Sequence, residues 1–257
     1  MKRIITLSGV ELPTYAGLPT VVRTEEGRAM GGVPGWKFMM DPAYMVDGAP
    51  RNRAKPNSVS VALDQDIPIG EGLNSQPVFA IDIGTDGATR LDPNVGFNNN
   101  AWSVFLVVDD KDTSALANLV RSNSAPASGE LNIRISTTAA SAFAVFEGDS
   151  TSRLVYYPGA EGGFRGVPTL WMVTFSTRDG LRIFRDGVLR ASAPDDTRTF
   201  DSDFGAGQWE FFNSGSDFNA DVGISGLLDI DLGWAEHAGY RRAIENFLMT
   251  KYGISAP

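Results

Sequence analysis

The residues of this chain best suited to chemistry are carboxylates and amides set at alternate positions. In GSDFNAD, Asp217, Asn219 and Asp221 recur every second residue within a polar stretch. Many calcium loops open this way, because calcium gathers oxygen ligands from a tight polar turn. The rest of the helix–loop–helix calcium motif is missing, since Leu228 stands where the twelfth-position glutamate would be. A turn held by Asx hydrogen bonds is the competing reading of the same residues.

Glycan recognition offers a second chemistry. It pairs an aromatic face for the sugar ring with amides and carboxylates for the hydroxyls. Asn98, Asn99 and Asn100 form a polar entry before Trp102, and Phe218 sits among the polar residues Asp217 and Asn219, where it is hard to bury. These six residues are the expected glycan contacts, with calcium as the expected cofactor if Asp217, Asn219 and Asp221 act together. Tyr156, Tyr157 and Trp209 are further aromatic candidates, for which core packing is the better reading.

No catalytic set is expected. In LLDIDLG, Asp229 and Asp231 share one strand face and Leu228, Ile230 and Leu232 the other, which reads as an outward, solvated face. His237 is the only histidine and begins the last helical pattern without nucleophile or acid around it. The segments AGLPT, GGVPG and GAEGG lack the lysine and helix that a phosphate-cradling loop needs.

The elements that must carry these residues are strands. In TLWMVTFSTRDGLRIFRDGVLRASA, apolar residues alternate around Asp179-Gly180 and Asp186-Gly187, two dipeptides that supply the positive φ of a two-residue hairpin turn. Three antiparallel strands follow from that. AWSVFLVVDD (101–110) is apolar on both faces and reads as a central strand covered on each side. SVSVALD, PVFAIDIG, LNIRIST, SAFAVFEG, SRLVYYPG, QWEFFN and VGISGLLDIDLG bring the expected total to about ten to twelve strands. In EHAGYRRAIENFLMTKYGI, Tyr240, Ile244, Phe247 and Leu248 fall at helical spacing, with Arg241, Arg242, Glu245 and Asn246 opposite and Gly253 as the C-terminal cap. The helix is expected over 236–252.

Residues 1–57 differ. They are rich in glycine, proline and methionine, with no sustained period beyond a strand expected at Arg3–Leu7. Two readings stay open: an irregular cover over the sandwich, or an arm that packs on another chain. Met30, Trp36, Phe38, Met39, Met40 and Met45 make it too apolar for a free tail. The expected domains are therefore an extension over 1–57 and a sandwich over 58–257.

Composition narrows the classes. The chain has 257 residues, 28 glycines, 14 prolines, no cysteine and a net charge of −9. Absence of thiols excludes disulfides and thiolate metal sites. The negative charge and lack of Lys/Arg runs argue against nucleic-acid partners. The opening MKRIITLSGVELPTY falls short of the apolar run of roughly 7–15 residues in a secretory signal, and no run approaches a membrane span, so the expectation is cytosolic synthesis without membrane association.

The order of these pieces resembles the concanavalin A-like lectin/glucanase superfamily in its laminin-G-like form, over about residues 75–255. The resemblance is carried by Trp171, Phe175, Phe184, Arg185, Asp186, Gly187, Leu189, Phe212, Gly223, Gly226, Ile244, Glu245, Lys251, Tyr252 and Gly253. It implies an all-β, two-sheet antiparallel jelly-roll sandwich with a C-terminal helix. It also implies a virion setting, because modules with this helical ending resemble bacteriophage capsid, tail and fibre proteins. Other virion proteins, reached through residues 1–57, and surface polysaccharide are then the expected partners. Self-association is compatible with that setting, although no heptad seam supports it. The glucanase strand Glu-x-Asp-x-x-Glu has no counterpart here, so a polysaccharide-degrading enzyme is the lesser reading, beside a cellular carbohydrate-binding module.

Overall fold

The structure, a computed structural model, describes residues 24–46, 49–54, 62–63, 68–82, 91–92, 95, 100–111, 117–122, 133–137, 143–147, 153–157, 165–194, 209–212 and 219–255. In chain order the strands are β1 (Trp36–Met40), β2 (Met45–Val46), β3 (Ala49–Pro50), β4 (Ala62–Leu63), β5 (Ile69–Glu71), β6 (Pro77–Asp82), β7 (Leu91–Asp92), β8 (Ala101–Asp110) and β9 (Ala117–Ser122). They continue as β10 (Ile133–Thr137), β11 (Phe143–Glu147), β12 (Arg153–Tyr157), β13 (Thr169–Ser176), β14 (Gly180–Arg185), β15 (Val188–Ala193), β16 (Trp209–Phe211) and β17 (Asn219–Leu228). A short helix, Glu25–Ala29, precedes them and the helix Ala238–Tyr252 follows.

Two antiparallel sheets face each other. One has the order β15-β14-β13-β8-β17-β6-β5, with β1 also on β17; the other runs β12-β11-β10-β9-β16-β7-β4. The expected two-sheet antiparallel sandwich is what the chain forms. A third layer, the C-terminal helix, covers the outer face of the first sheet.

The alternation of β8 shows why the layers assemble. Trp102, Val104, Leu106 and Val108 point into the core between the sheets, while Phe105 and Val107 point into a second core under the helix. Successive side chains of a strand face opposite sides, so a strand apolar at every position needs cover on both. β13 does the same, with Trp171, Val173 and Phe175 inward and Leu170 and Met172 toward the helix. Across the sandwich Phe143 stacks on Trp171 at 4.0 Å and Trp102 meets Trp209 edge-on at 5.4 Å.

β17 is less regular. One edge follows β8 throughout, but the other pairs with β6 over Asn219–Val222 and with β1 over Ser225–Leu228. A bulge between Val222 and Ser225 shifts the phase, so that Ala220, Val222 and then Leu227 face the inter-sheet core, with Ile224 and Leu228 under the helix. At the handover the Ile224 N–H donates to the Tyr252 hydroxyl at 2.9 Å, and a Cβ on Gly223 would lie 2.6 Å from the Tyr252 ring.

Several expectations change. Residues 24–46 and 49–54 pack on the sandwich: β1 joins the sheet, and Arg53 bridges Glu26 and Asp41, while Lys251 reaches Asp41 at 3.6 Å. The strand expected at Arg3–Leu7 lies outside the described residues. Only Asp186-Gly187 makes a two-residue turn, with φ of 50° and 81°. At Asp179-Gly180 the pair Ser176–Gly180 leaves three residues in the loop, and Gly180 alone takes positive φ. The helix begins at Ala238 after a 3₁₀ turn over Ala235–His237 and ends on Gly253 at φ 67°, as expected of its cap. Its buried face is Ile244, Glu245, Leu248 and Tyr252, whereas Tyr240 is exposed. Arg241 explains the difference. It lies over the Phe184 ring at 4.1 Å and pairs with Glu245 at 3.2 Å, so an ion pair rather than an aromatic ring fills the first contact with the sheet.

Candidate functional site

The expected site residues that the structure describes, Asn100 on one side and Asn219 and Asp221 on the other, fall at opposite ends of β8. Asn100, just before the strand, is exposed, and its carbonyl accepts the Thr177 N–H at 3.0 Å. Asn219 lies at the other end, where its carbonyl accepts from the Lys111 N–H at 2.8 Å. Ten strand residues separate them, about 33 Å of extended backbone, so Asn100 and Asn219 cannot touch one small ligand. Asn98, Asn99, Asp217 and Phe218 lie outside the described residues.

At the Asn219 end, Asp221 forms an ion pair with Lys111 Nζ at 2.7 Å. Burial pushes the neighbouring Asp109 carboxyl above its usual range, Lys111 opposes this and Asp221 adds to it. A calcium ion bound through Asn219 and Asp221 would compete with the Lys111 ammonium for the Asp221 oxygens. Among the described residues no group of three or more His, Asp or Glu converges as a metal set.

The strand expected through LLDIDLG stops at Leu228. Ser103 gathers the following loop, donating to the Ile230 carbonyl at 2.7 Å and accepting the Leu232 N–H at 2.8 Å. The two aspartates therefore do not form a solvated face. Asp231 is fully buried, accepts the Gly233 N–H at 2.7 Å and sits 3.5 Å from Arg182 Nη1, while Asp229 pairs with Lys37 at 2.8 Å. Trp209 and Tyr157 are core residues, each 1% exposed.

This loop and the β13–β14 turn enclose a groove of about 630 Å³ at the Asn100 end. Trp234 stands in it, its indole N–H donating to Ser176 Oγ at 3.1 Å. His237 stacks on Trp234 with ring centroids 5.1 Å apart, and Tyr240 follows His237 at 6.2 Å. His237 is itself fixed, with Nδ1 2.7 Å from the Asp231 carbonyl. The charged lining is Arg178, Asp179, Arg182, Glu236 and Arg241, and the apolar lining is Phe184 and Leu189. Arg182 lies 3.6 Å from Asp179 and 3.5 Å from Asp231, so it cross-links the turn to the loop. A half-buried aromatic ring beside planar donors on anchored backbone is suited to hold a polar ring-shaped ligand by stacking and hydrogen bonds.

This groove is not among the sites that the sequence marks. Its signals are W-x-x-H-x-x-Y in WAEHAGY and R-D-G-x-R around the turn, which set Trp234, His237 and Tyr240 three apart and place Arg178 and Arg182 astride Gly180. A larger cleft of about 780 Å³ lies between the two helices, lined by residues such as Glu25, Arg28, Asn246 and Phe247. Its aromatic lining is Phe247, which lacks the anchored indole N–H that fixes Trp234 in the rim groove.

The sandwich is shared with solved binding domains. The chain superimposes on the binding domain of botulinum neurotoxin DC in complex with rat synaptotagmin II with a TM-score of 0.59, 9% identity, and coverage of 84% of this chain and 51% of that one. The same domain in complex with SialylT gives a TM-score of 0.58 and 9% identity, covering 82% of this chain and 52% of that one. The botulinum neurotoxin serotype G binding domain gives 0.56 and 7%, covering 83% and 50%. This chain thus spans about half the length of the structures it matches, and at such identity the likeness shows the fold. No protein-family model and no curated protein sequence matches it. No helix among the described residues is long and apolar enough to cross a membrane.

Proposed function

We propose that the chain is a non-enzymatic, lectin-like binding sandwich that holds surface polysaccharide in the rim groove and serves as a structural part of a virion, as capsid decoration or as a tail or fibre component. The observation that carries the binding reading is Trp234, a half-buried indole pinned through Ser176 and flanked by Arg178 and Arg182 at the mouth of a groove of sugar size. The fold supports it, because sandwiches of this shape occur in domains solved with bound partners. The groove carboxylates speak for binding over hydrolysis: Asp179 faces two guanidiniums, at 3.9 and 3.6 Å, and Glu236 is exposed. The virion setting is supported by the sequence resemblance, and the contact with neighbouring virion proteins through residues 1–57 by the apolar character of that segment.

Retention on immobilised surface polysaccharides, with and without calcium, tests the binding reading. The expected result is retention that Trp234→Ala lowers at least tenfold while the circular-dichroism spectrum keeps its sheet signature. Equal retention of the variant would move the site elsewhere, and falling polysaccharide viscosity would replace binding by hydrolysis. Peptide mass analysis of purified particles tests the setting; absence of the chain from them overturns it.

A further inference from the structure

We infer that the rim groove selects sugars bearing a carboxylate, an inference that rests on the glycan-binding reading above. The decisive residue is Arg178. Its side chain is 70% exposed, and its nearest carboxylate oxygen, on Asp179, lies 3.9 Å away, beyond hydrogen-bond range. The same Asp179 carboxylate lies 3.6 Å from Arg182, which also serves the buried Asp231. Arg182 is thus shared between two carboxylates of the protein and is only 21% exposed, whereas Arg178, with one longer ion-pair contact, turns most of its donors to solvent. A guanidinium fork matches a carboxylate with two parallel hydrogen bonds, a geometry that a neutral hydroxyl cannot complete.

The fork is also correctly placed. The Arg178 guanidinium lies over the Trp234 ring, 5.6 Å from its centre, and His237 stacks on the same ring at 5.1 Å, so a sugar seated against the open part of the indole brings a carboxylate on its own ring within reach of the fork. Leu189, half exposed, and Phe184 give the groove an apolar wall. With a net charge of −9 the molecule as a whole repels polyanions. Retention of an acidic polymer therefore has to come from local recognition rather than from the general field.

The experiment compares polygalacturonate, alginate and hyaluronan with their carboxyl-reduced forms, alongside neutral dextran and dextran sulfate. Retention on at least one carboxylated polymer is expected, falling tenfold or more when its carboxyls are reduced. Arg178→Ala is expected to cause a similar loss, and Arg178→Lys to recover little of it, because the charge returns without the fork. Equal retention of a polymer and its carboxyl-reduced form overturns the carboxylate assignment and leaves the glycan-binding reading standing. Retention of dextran sulfate as strong as that of the carboxylated polymers overturns it too, by reducing the groove to a general anion surface. Failure on every polymer, the neutral ones included, overturns the binding reading itself. Arg178 is exposed, so its variants keep the fold, and an unchanged melting temperature verifies this.

Discussion

Tyr252 places one oxygen where the ladder of β17 is broken. Its hydroxyl accepts the Ile224 N–H, and burial, with Asp41 adding and the Ile224 bond opposing, pushes its ionisation well above the ordinary tyrosine range. Tyr252→Phe leaves a buried N–H without its partner and is expected to cost about 1–3 kcal/mol in denaturant titrations. Gly223→Ala is expected to cost a similar amount, about 1–3 kcal/mol, since its Cβ would strike the same ring. Two carboxyls give a pH signature. Burial pushes Glu245 and Asp186 upward, against the opposing Arg241 beside Glu245 and the Leu170 N–H that Asp186 accepts at 2.8 Å. A carboxyl raised on folding favours the native state below its unfolded pKa, and that contribution fades as pH climbs through the folded value. Glu245→Gln should therefore gain on the wild type as pH rises from about 4.5, the ordinary glutamate value. Melting temperatures of both proteins across that range measure the effect; a constant gap would refute it.

Among the elements, β8 was legible to the residue because an unbroken apolar run admits one placement, the middle of a covered sheet. The hairpins were half legible. Asp-Gly marks a positive-φ turn, but whether the loop holds two residues or three depends on where the flanking strands fall into register. The helix was recognised, yet its buried face was displaced, because Glu245 is compensated by Arg241, and a periodicity count sees only a charge. β1 escaped notice since its partner, β17, lies at the far end of the chain. Many residues that carried the sequence resemblance turn out to be joints of the fold: Trp171 stacks across the sandwich, Gly187 turns the hairpin, and Gly223 and Tyr252 mate. That is why they announced a sandwich and not the groove, whose Trp234, Arg178 and Arg182 lie in a turn and a loop. Gly187→Ala, at φ 81°, is expected to destabilise the β14–β15 hairpin by about 1–2 kcal/mol, read as a lowered denaturant midpoint.

For the whole molecule, β8 and β13 line two cores at once, so neither core can dissolve without exposing the back of the other. Leu248→Ala under the helix and Val120→Ala between the sheets, both fully buried, are each expected to lower stability, the former by about 2–5 kcal/mol. Both should shift one common thermal transition. Two transitions moving independently, by calorimetry, would show the helix layer to be a separate unit. The divided edge of β17 has a further consequence in time. β1 is synthesised before β17, so the backbone groups that will satisfy it emerge from the ribosome only after all the intervening strands, and the hydroxyl bridging the gap emerges later still. The nascent chain must therefore carry an unfinished, apolar ribbon until β17 follows. Slowed elongation before β17 has emerged should raise the chain's capture by chaperones, while a pause imposed after Tyr252 has left the exit tunnel should not.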